Sequence, residues 1–113
     1  MSNFPLYDDL KKSAKTKNLS VKNRKEFIKN VSELDKNGHE LLYALIKSHY
    51  ISTTGVRDST MLPYDAKLVE GNMEFDFNLF PNILKHILYT FTSKHKQKML
   101  EDEQYDSNRM SII

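Results

Sequence analysis

The stretch Ser20–Leu34, SVKNRKEFIKNVSEL, is the strongest indication of the fold, because it carries one unbroken helical pattern. Its apolar residues recur at the spacing that places them on one face of an α-helix. Ser20 suits the N-cap position, since its hydroxyl can accept a hydrogen bond from an amide of the first helical turn. The stretch therefore predicts an amphipathic helix over 20–34 whose apolar face belongs to a core.

Two further stretches predict helices that pack against this first one. Residues 39–50 carry a second apolar stripe, and the run Asp35–Gly38 before them predicts a short turn, which makes the two helices antiparallel neighbours. A third helix is expected to begin near Pro81 and to end near Lys98. The predicted core consists of residues from the three stripes: Phe27, Ile28, Val31, Leu34, Leu41, Leu42, Leu45, Ile46, Leu84, Ile87, Leu88 and Phe91.

A strand signal lies between the second and third helices. The stretches Ala66–Val69 and Met73–Phe77 alternate between apolar and charged residues on either side of a turn. A two-residue turn at Gly71-Asn72 would place Lys67 opposite Asp76 and sort apolar from charged side chains almost completely, with only Val69 on the charged face. The sequence thus predicts a mainly α fold, three helices with a β-hairpin between helices 2 and 3.

Composition narrows the class of protein. The 113 residues suit one domain, and 39% apolar with 28% charged residues is within the range of globular chains. The absence of Cys excludes a disulfide scaffold and a thiolate zinc site. No apolar run approaches the roughly 20 residues that span a bilayer, and the N-terminus lacks signal-peptide features. We therefore expect a soluble, intracellular protein that is not secreted.

Residue patterns for catalysis or cofactor binding are missing from the sequence. The histidines, at 39, 49, 86 and 95, form no pair at the i, i+3 or i, i+4 spacing of a helical metal site. Glycines at 38, 55 and 71 alone cannot build a phosphate-binding loop. We expect no catalytic, metal or cofactor site.

Two stretches together resemble the NET (extraterminal) domain found near the C-termini of BET bromodomain proteins. Leu19–Leu34 with Leu41–Ile46 has the family's Leu-Ser start, basic position, apolar spacing and helix–turn–helix order. Glu74–Leu79, followed by Pro81, is similar to the family's acidic–apolar strand, which runs into a proline-started helix. The chain is also similar to small uncharacterised proteins of nucleocytoplasmic large DNA viruses that carry this module without bromodomains.

The resemblance implies a non-enzymatic protein–protein interaction module. NET domains bind Lys-rich, apolar-alternating peptides, which add as a strand beside the acidic strand. A link to chromatin or transcription factors, and a location in the nucleus, a viral factory or a virion, follow as expectations. Carried onto this sequence, the implied peptide-binding residues are Glu70, Met73, Glu74, Phe75, Asp76, Phe77, Leu42 and Ile46.

The sequence is also compatible with other functions. Residues 11–29 hold eight Lys or Arg and the single acidic residue Glu26, so this segment also fits nucleic-acid binding. A structural role in a virion or larger assembly is a further alternative. Lys67–Val69 has the basic–apolar pattern of a NET ligand, so it either leaves the acidic strand's edge free or occupies that edge itself.

The chain divides into three predicted parts. Residues 1–18 form an N-terminal arm in which Pro5 opens one or two helical turns, and the arm is expected to pack on the domain. Residues 19–98 form the NET-like domain. Residues 99–113 are predicted to be a flexible acidic tail.

Overall fold

The structure, a computed structural model, describes residues 4–55 and 62–108. Its elements in chain order are α1 (Pro5–Ser13), α2 (Val21–Ser32), α3 (Lys36–Thr54), β1 (Lys67–Val69), β2 (Asn72–Glu74) and α4 (Asn82–Asn108). Single 3-10 turns lie at Pro63–Asp65 and Phe77–Leu79. The predicted mainly α class is confirmed, with the hairpin in its expected place before the last helix. The described chain has four helices because the N-terminal arm forms α1.

The core is built around α4, which packs against α1, α2 and α3. Leu45 of α3 and three residues of α4, Leu84, Ile87 and Leu88, are completely buried at its centre. Most of the predicted core is confirmed, while Val31, Leu41 and Leu42 are only partly buried against it. Among the described helices, none combines the length and apolar character that crossing a membrane requires.

Ile28 is wrongly predicted as a core residue, since 58% of it is exposed. Ile28 lies about 100° around α2 from Phe27, and the described chain packs on the Phe27 side of the helix and leaves the Ile28 side largely uncovered. Phe27 and Asn30 are the residues of α2 that the rest of the chain buries. Phe80, which no helical stripe contains, is buried in the core instead.

The N-terminal arm packs on the domain, as predicted. Tyr7 and Leu10 of α1 are buried in the core. The Tyr7 hydroxyl lies 2.8 Å from Nδ1 of His49 on α3, and the two share a buried hydrogen bond. This pair fixes α1 against α3 and removes the imidazole of His49 from solvent.

The free energy of unfolding is expected to fall at acidic pH because of His49. Burial lowers the pKa of His49 below its usual 6.5, because desolvation penalises the imidazolium, and the charge of Lys11 adds to this. As the pH falls through 6.5, the unfolded chain binds a proton that the folded chain excludes, so the free energy of unfolding decreases. We expect His49→Gln to flatten this dependence in urea unfolding between about pH 7 and pH 5. An unchanged slope would contradict the assignment.

The start of α3 differs from the predicted turn at Asp35–Gly38. The helix already begins at Lys36, and Asp35 is its N-cap, with Oδ1 accepting a 2.7 Å hydrogen bond from the amide of Gly38. The same carboxylate accepts a 3.0 Å hydrogen bond from Nε2 of His95 on α4. This bond and the Gly38 amide hold the pKa of Asp35 below its usual value. Capping chemistry, rather than a turn, accounts for this run.

Gly38 leaves room for the ring of His95, because it has no Cβ. Replacing it by alanine is expected to destabilise the fold. A Cβ at this position would lie 2.9 Å from Cδ2 of His95. The imidazole cannot move aside freely, because it stacks on Phe91 at 5.4 Å and is bonded to Asp35. Overpacking costs about 1–3 kcal/mol, which outweighs the roughly 0.5–1 kcal/mol by which Ala is the better helix former. A Gly38→Ala variant with raised stability in urea unfolding would contradict this.

The hairpin has a different register from the predicted one. Lys67 faces Glu74, not Asp76. The turn residues are Glu70-Gly71, with φ of 52° and 83°, as a type I′ turn requires. The error is a shift of two residues, and side chains alternate with a period of two, so every side chain keeps its predicted face. Sorting apolar from charged residues therefore identified the faces but not the register.

Two helices run further than the sequence predicted. α3 continues to Thr54 and ends at Gly55, whose φ of 72° provides the left-handed C-cap. α4 passes its predicted end near Lys98 and continues to Asn108, through much of the stretch predicted as a tail. The rest of that tail, and residues 56–61 of the predicted loop 51–65, lie outside the described residues.

Candidate functional site: an apolar groove beside strand β2

An open groove of about 1150 Å³ separates the hairpin from the surface of α2 and α3. The α2 wall consists of Phe27, Ile28, Val31 and Ser32. The α3 wall consists of Lys36, His39, Glu40, Leu42, Tyr43 and Ile46. The hairpin side contributes Asn72, Met73, Phe75 and Phe77, with Phe80 and Leu88 also lining the groove. Its lining is mainly apolar and aromatic, which is typical of ligand-binding clefts.

Aromatic contacts join the hairpin side of the groove to the helices. Phe77 packs against Phe27 of α2 at 4.9 Å between ring centroids, and Phe75 meets Tyr43 of α3 edge-on at 6.4 Å. Both phenylalanines also contact the buried ring of Phe80, at 5.7 and 5.9 Å. The extended segment after β2 is therefore anchored to the core, while β1 and β2 project from it.

Lys85 of α4 makes a cation–π contact with the ring of Phe77. Its Nζ lies 5.4 Å from the ring centroid and donates a 3.2 Å hydrogen bond to Oδ1 of Asn18. The side chains of Asn82 and His86, on the same helix, donate to the carbonyl groups of residues 16 and 17. The link between α1 and α2 is thus tied to α4 next to the groove wall.

Strand β2 has one edge that the described chain leaves unpaired. The sheet has two strands, so β1 occupies a single edge of β2. The type I′ turn makes Val69 and Asn72 a hydrogen-bonded pair, and such pairs alternate with non-bonded ones along an antiparallel ladder. Met73 faces Leu68 at a non-bonded position. The amide and carbonyl of Met73 therefore point away from β1, towards the unpaired edge.

The carboxylates of the hairpin region are exposed. Glu70 lies at the turn, and Glu74 lies on the face of β2 opposite to Met73. Asp76 has a second role, because its Oδ1 accepts a 3.0 Å hydrogen bond from the amide of Asn78 and caps the following 3-10 turn. The alternation of apolar and acidic side chains from Met73 to Asp76 thus separates an apolar face from a charged one.

The structure brings five of the eight predicted peptide-binding residues into the groove: Met73, Phe75, Phe77, Leu42 and Ile46. The other three, Glu70, Glu74 and Asp76, lie outside its lining on exposed positions. The helix residues and the hairpin residues thus meet across one groove, although they are separated in sequence.

Several groove residues were missed by sequence reasoning. Tyr43 was left out because the predicted stripe of α3 contained only Leu41, Leu42, Leu45 and Ile46, and Phe80 lies between the hairpin and α4, outside every helical stripe. Ile28 was assigned to the core, because its residue type and spacing do not differ from those of the buried residues in the same stripe.

No protein-family model, curated protein or solved structure matches this chain. What the groove binds is therefore inferred from its own chemistry. Within residues 4–55 and 62–108, no three His, Cys, Asp or Glu side chains are grouped so that they could hold a metal ion. The groove offers mainly apolar surface with the charged side chains of Lys36 and Glu40, and Met73 in its lining also carries unpaired main-chain groups.

Proposed function

We propose that this chain is a peptide-binding module of the NET type. A Lys-rich, apolar-alternating segment of another protein adds as a strand to the open edge of β2. Its apolar side chains enter the groove, and its lysines face Glu74 and Asp76. Strand addition supplies main-chain hydrogen bonds, and the alternation gives each face of the ligand its own contacts.

The observation that carries this proposal is the position of the groove beside the unpaired edge of β2. The amide and carbonyl of Met73 provide pairing groups at that edge, and its side chain lines the groove. An unpaired strand edge offers main-chain groups with which another chain can pair. A partner among chromatin or transcription proteins, and a location in the nucleus, a viral factory or a virion, belong to the same proposal.

Strand β1 does not fill the groove, although it has the pattern of a ligand. Leu68 is 66% exposed and, with the rest of β1, is absent from the groove lining. β1 takes one edge of β2, and the other edge has no strand partner within the described chain. This arrangement favours a free binding edge over self-occupancy.

Substitution of Ile28 tests peptide binding in the groove without disturbing the fold, because its side chain is largely exposed. It lines the groove with 58% of its surface exposed, whereas Val21 on the same helix is 64% exposed and outside the groove. We expect Ile28→Gln to weaken binding of a short peptide of alternating Lys and Leu by about tenfold, because an apolar contact is lost. Fluorescence anisotropy with a labelled peptide measures this effect.

Val21→Gln is the matched control, and it should bind like the unmodified chain. Both variants should unfold within about 0.5 kcal/mol of the unmodified chain, as surface substitutions do. Equal affinity of the Ile28 and Val21 variants would contradict a ligand in the groove. Preferential binding of duplex DNA, unaffected by Ile28→Gln, would instead support the nucleic-acid alternative.

A further inference from the structure

Three aromatic rings meet in one part of the groove. Tyr43 of α3 contacts Phe75 with ring centroids 6.4 Å apart and ring planes at 70°. Phe75 in turn contacts Phe80 at 5.7 Å, with the planes at 50°. All three residues line the groove, Tyr43 and Phe75 half-buried and Phe80 buried. Rings in three directions therefore border this part of the groove, and we call them the aromatic corner.

Glu40 brings a carboxylate to the aromatic corner. It lies three residues before Tyr43 on α3, the spacing of neighbours on a helix surface, and it also lines the groove. It is exposed, and the ion pairs within residues 4–55 and 62–108 do not include it. Lys36 also lines the groove but lies two turns from Tyr43, about 10 Å along the helix. Along α3, the charge nearest to the corner is therefore negative.

The neighbouring ring of Phe77 already contacts a cation, the ammonium group of Lys85, at 5.4 Å. Lys85 is buried, donates its hydrogen bond to the neutral side chain of Asn18 and does not line the groove. Phe77 is for this reason not counted in the aromatic corner. The contact shows that this fold accommodates an ammonium group against an aromatic ring, with only a neutral hydrogen-bond partner beside it.

Aromatic rings next to a carboxylate match a cation that also has an apolar surface. The faces of aromatic rings carry negative electrostatic potential and attract cations, most strongly where water is excluded. A leucine side chain would contact the rings without using the charge of Glu40. The ammonium group of an unmodified lysine is strongly hydrated, so removing its water costs free energy. Methyl groups on that nitrogen keep its positive charge, weaken its hydration and add apolar surface.

We propose that the aromatic corner binds a methylated lysine of the peptide ligand, and the trimethylated form most tightly. This inference rests on the proposed function, because it specifies one of the side chains that a strand on β2 directs into the groove. The trimethylammonium group contacts the rings of Tyr43 and Phe75, with Glu40 beside it. Lysines on the other face of the ligand strand still face the exposed carboxylates of Glu74 and Asp76. Methylation of the partner protein would then increase its affinity for this chain.

The test uses the alternating Lys/Leu peptide, in which each leucine in turn is replaced by trimethyl-lysine or by its neutral isostere with carbon in place of the charged nitrogen. The two side chains have the same shape, so their difference in affinity isolates the attraction for the positive charge. At one position we expect trimethyl-lysine to bind about fivefold more tightly than the isostere in fluorescence anisotropy. Unmodified lysine at that position should bind more weakly than trimethyl-lysine.

Variants of the chain locate the preference for the charged side chain. Tyr43→Leu should remove most of it while still binding the neutral isostere, which shows that the groove is intact. Tyr43→Phe keeps the ring and should keep the preference. Glu40→Gln should reduce it, and the matched control Asp102→Asn, on an exposed position of α4 outside the groove lining, should retain it.

Equal affinity for trimethyl-lysine and its isostere at every position would overturn the methyl-lysine site. A preference that survives in Tyr43→Leu would overturn it as well. In both cases the proposed function stands, because the parent Lys/Leu peptide still binds. Failure of every peptide in the series to bind would overturn the site and the proposed function together.

Discussion

Replacing Leu45 by alanine is expected to lower the free energy of unfolding by about 2–5 kcal/mol. Leu45 is completely buried where α3 packs on α4. The truncation removes apolar contacts and leaves a cavity that close-packed neighbours fill only partly. Urea unfolding followed by circular dichroism measures the loss, and a shifted midpoint with an unchanged slope would identify it as a loss of stability.

Val21→Ala on exposed α2 surface is the control for this variant and should change stability by no more than about 0.5 kcal/mol. A Leu45→Ala variant as stable as the unmodified chain would show that α3 presents a different face to α4. It would also remove the basis of the groove, because Leu42 and Ile46 lie on the adjoining part of the same face.

Replacing the acidic residues Glu74 and Asp76 together is expected to weaken peptide binding by at least about tenfold. Glu74→Lys reverses one charge, and Asp76→Asn neutralises the other while keeping an oxygen that can cap the turn at Asn78. Asp76→Lys is less suitable, because loss of a cap costs about 1 kcal/mol and would mix folding with binding. Isothermal titration with the alternating Lys/Leu peptide gives the affinity.

Glu101→Lys/Asp102→Asn changes the net charge by the same amount on exposed positions of α4. This control should bind the peptide nearly as well as the unmodified chain. Equal weakening by both double variants would indicate a general effect of net charge. Affinity of the unmodified chain should also fall as salt rises, since exposed charge pairs are screened.

Periodicity identified the helices but could not set their limits. The stripes of α2, α3 and α4 were visible because burial against a neighbouring helix requires apolar residues at regular spacing. The starts depended on single side chains. Ser20 caps α2 as predicted, with its hydroxyl accepting from the amide of Asn23, whereas Asp35 was assigned to a turn. Turn and N-cap use the same residue types, so the sequence alone did not separate them.

The site was harder to predict than the fold because it depends on register and on what remains uncovered. Strand alternation gave the correct faces for Met73 and Glu74 but not their partners on β1. Ile28 has the residue type of a core position, and only the packed arrangement shows that nothing in the described chain covers it. The groove is a property of several elements together, which no local pattern encodes.

Isotope-filtered NMR on the complex with the alternating Lys/Leu peptide shows which strand edge the peptide occupies. We predict intermolecular contacts between the peptide backbone and the amide of Met73, together with contacts from peptide methyl groups to Phe77 and Ile28. Contacts along the outer edge of β1 at Leu68, or chemical-shift changes confined to the lysines of α2, would contradict strand addition to β2.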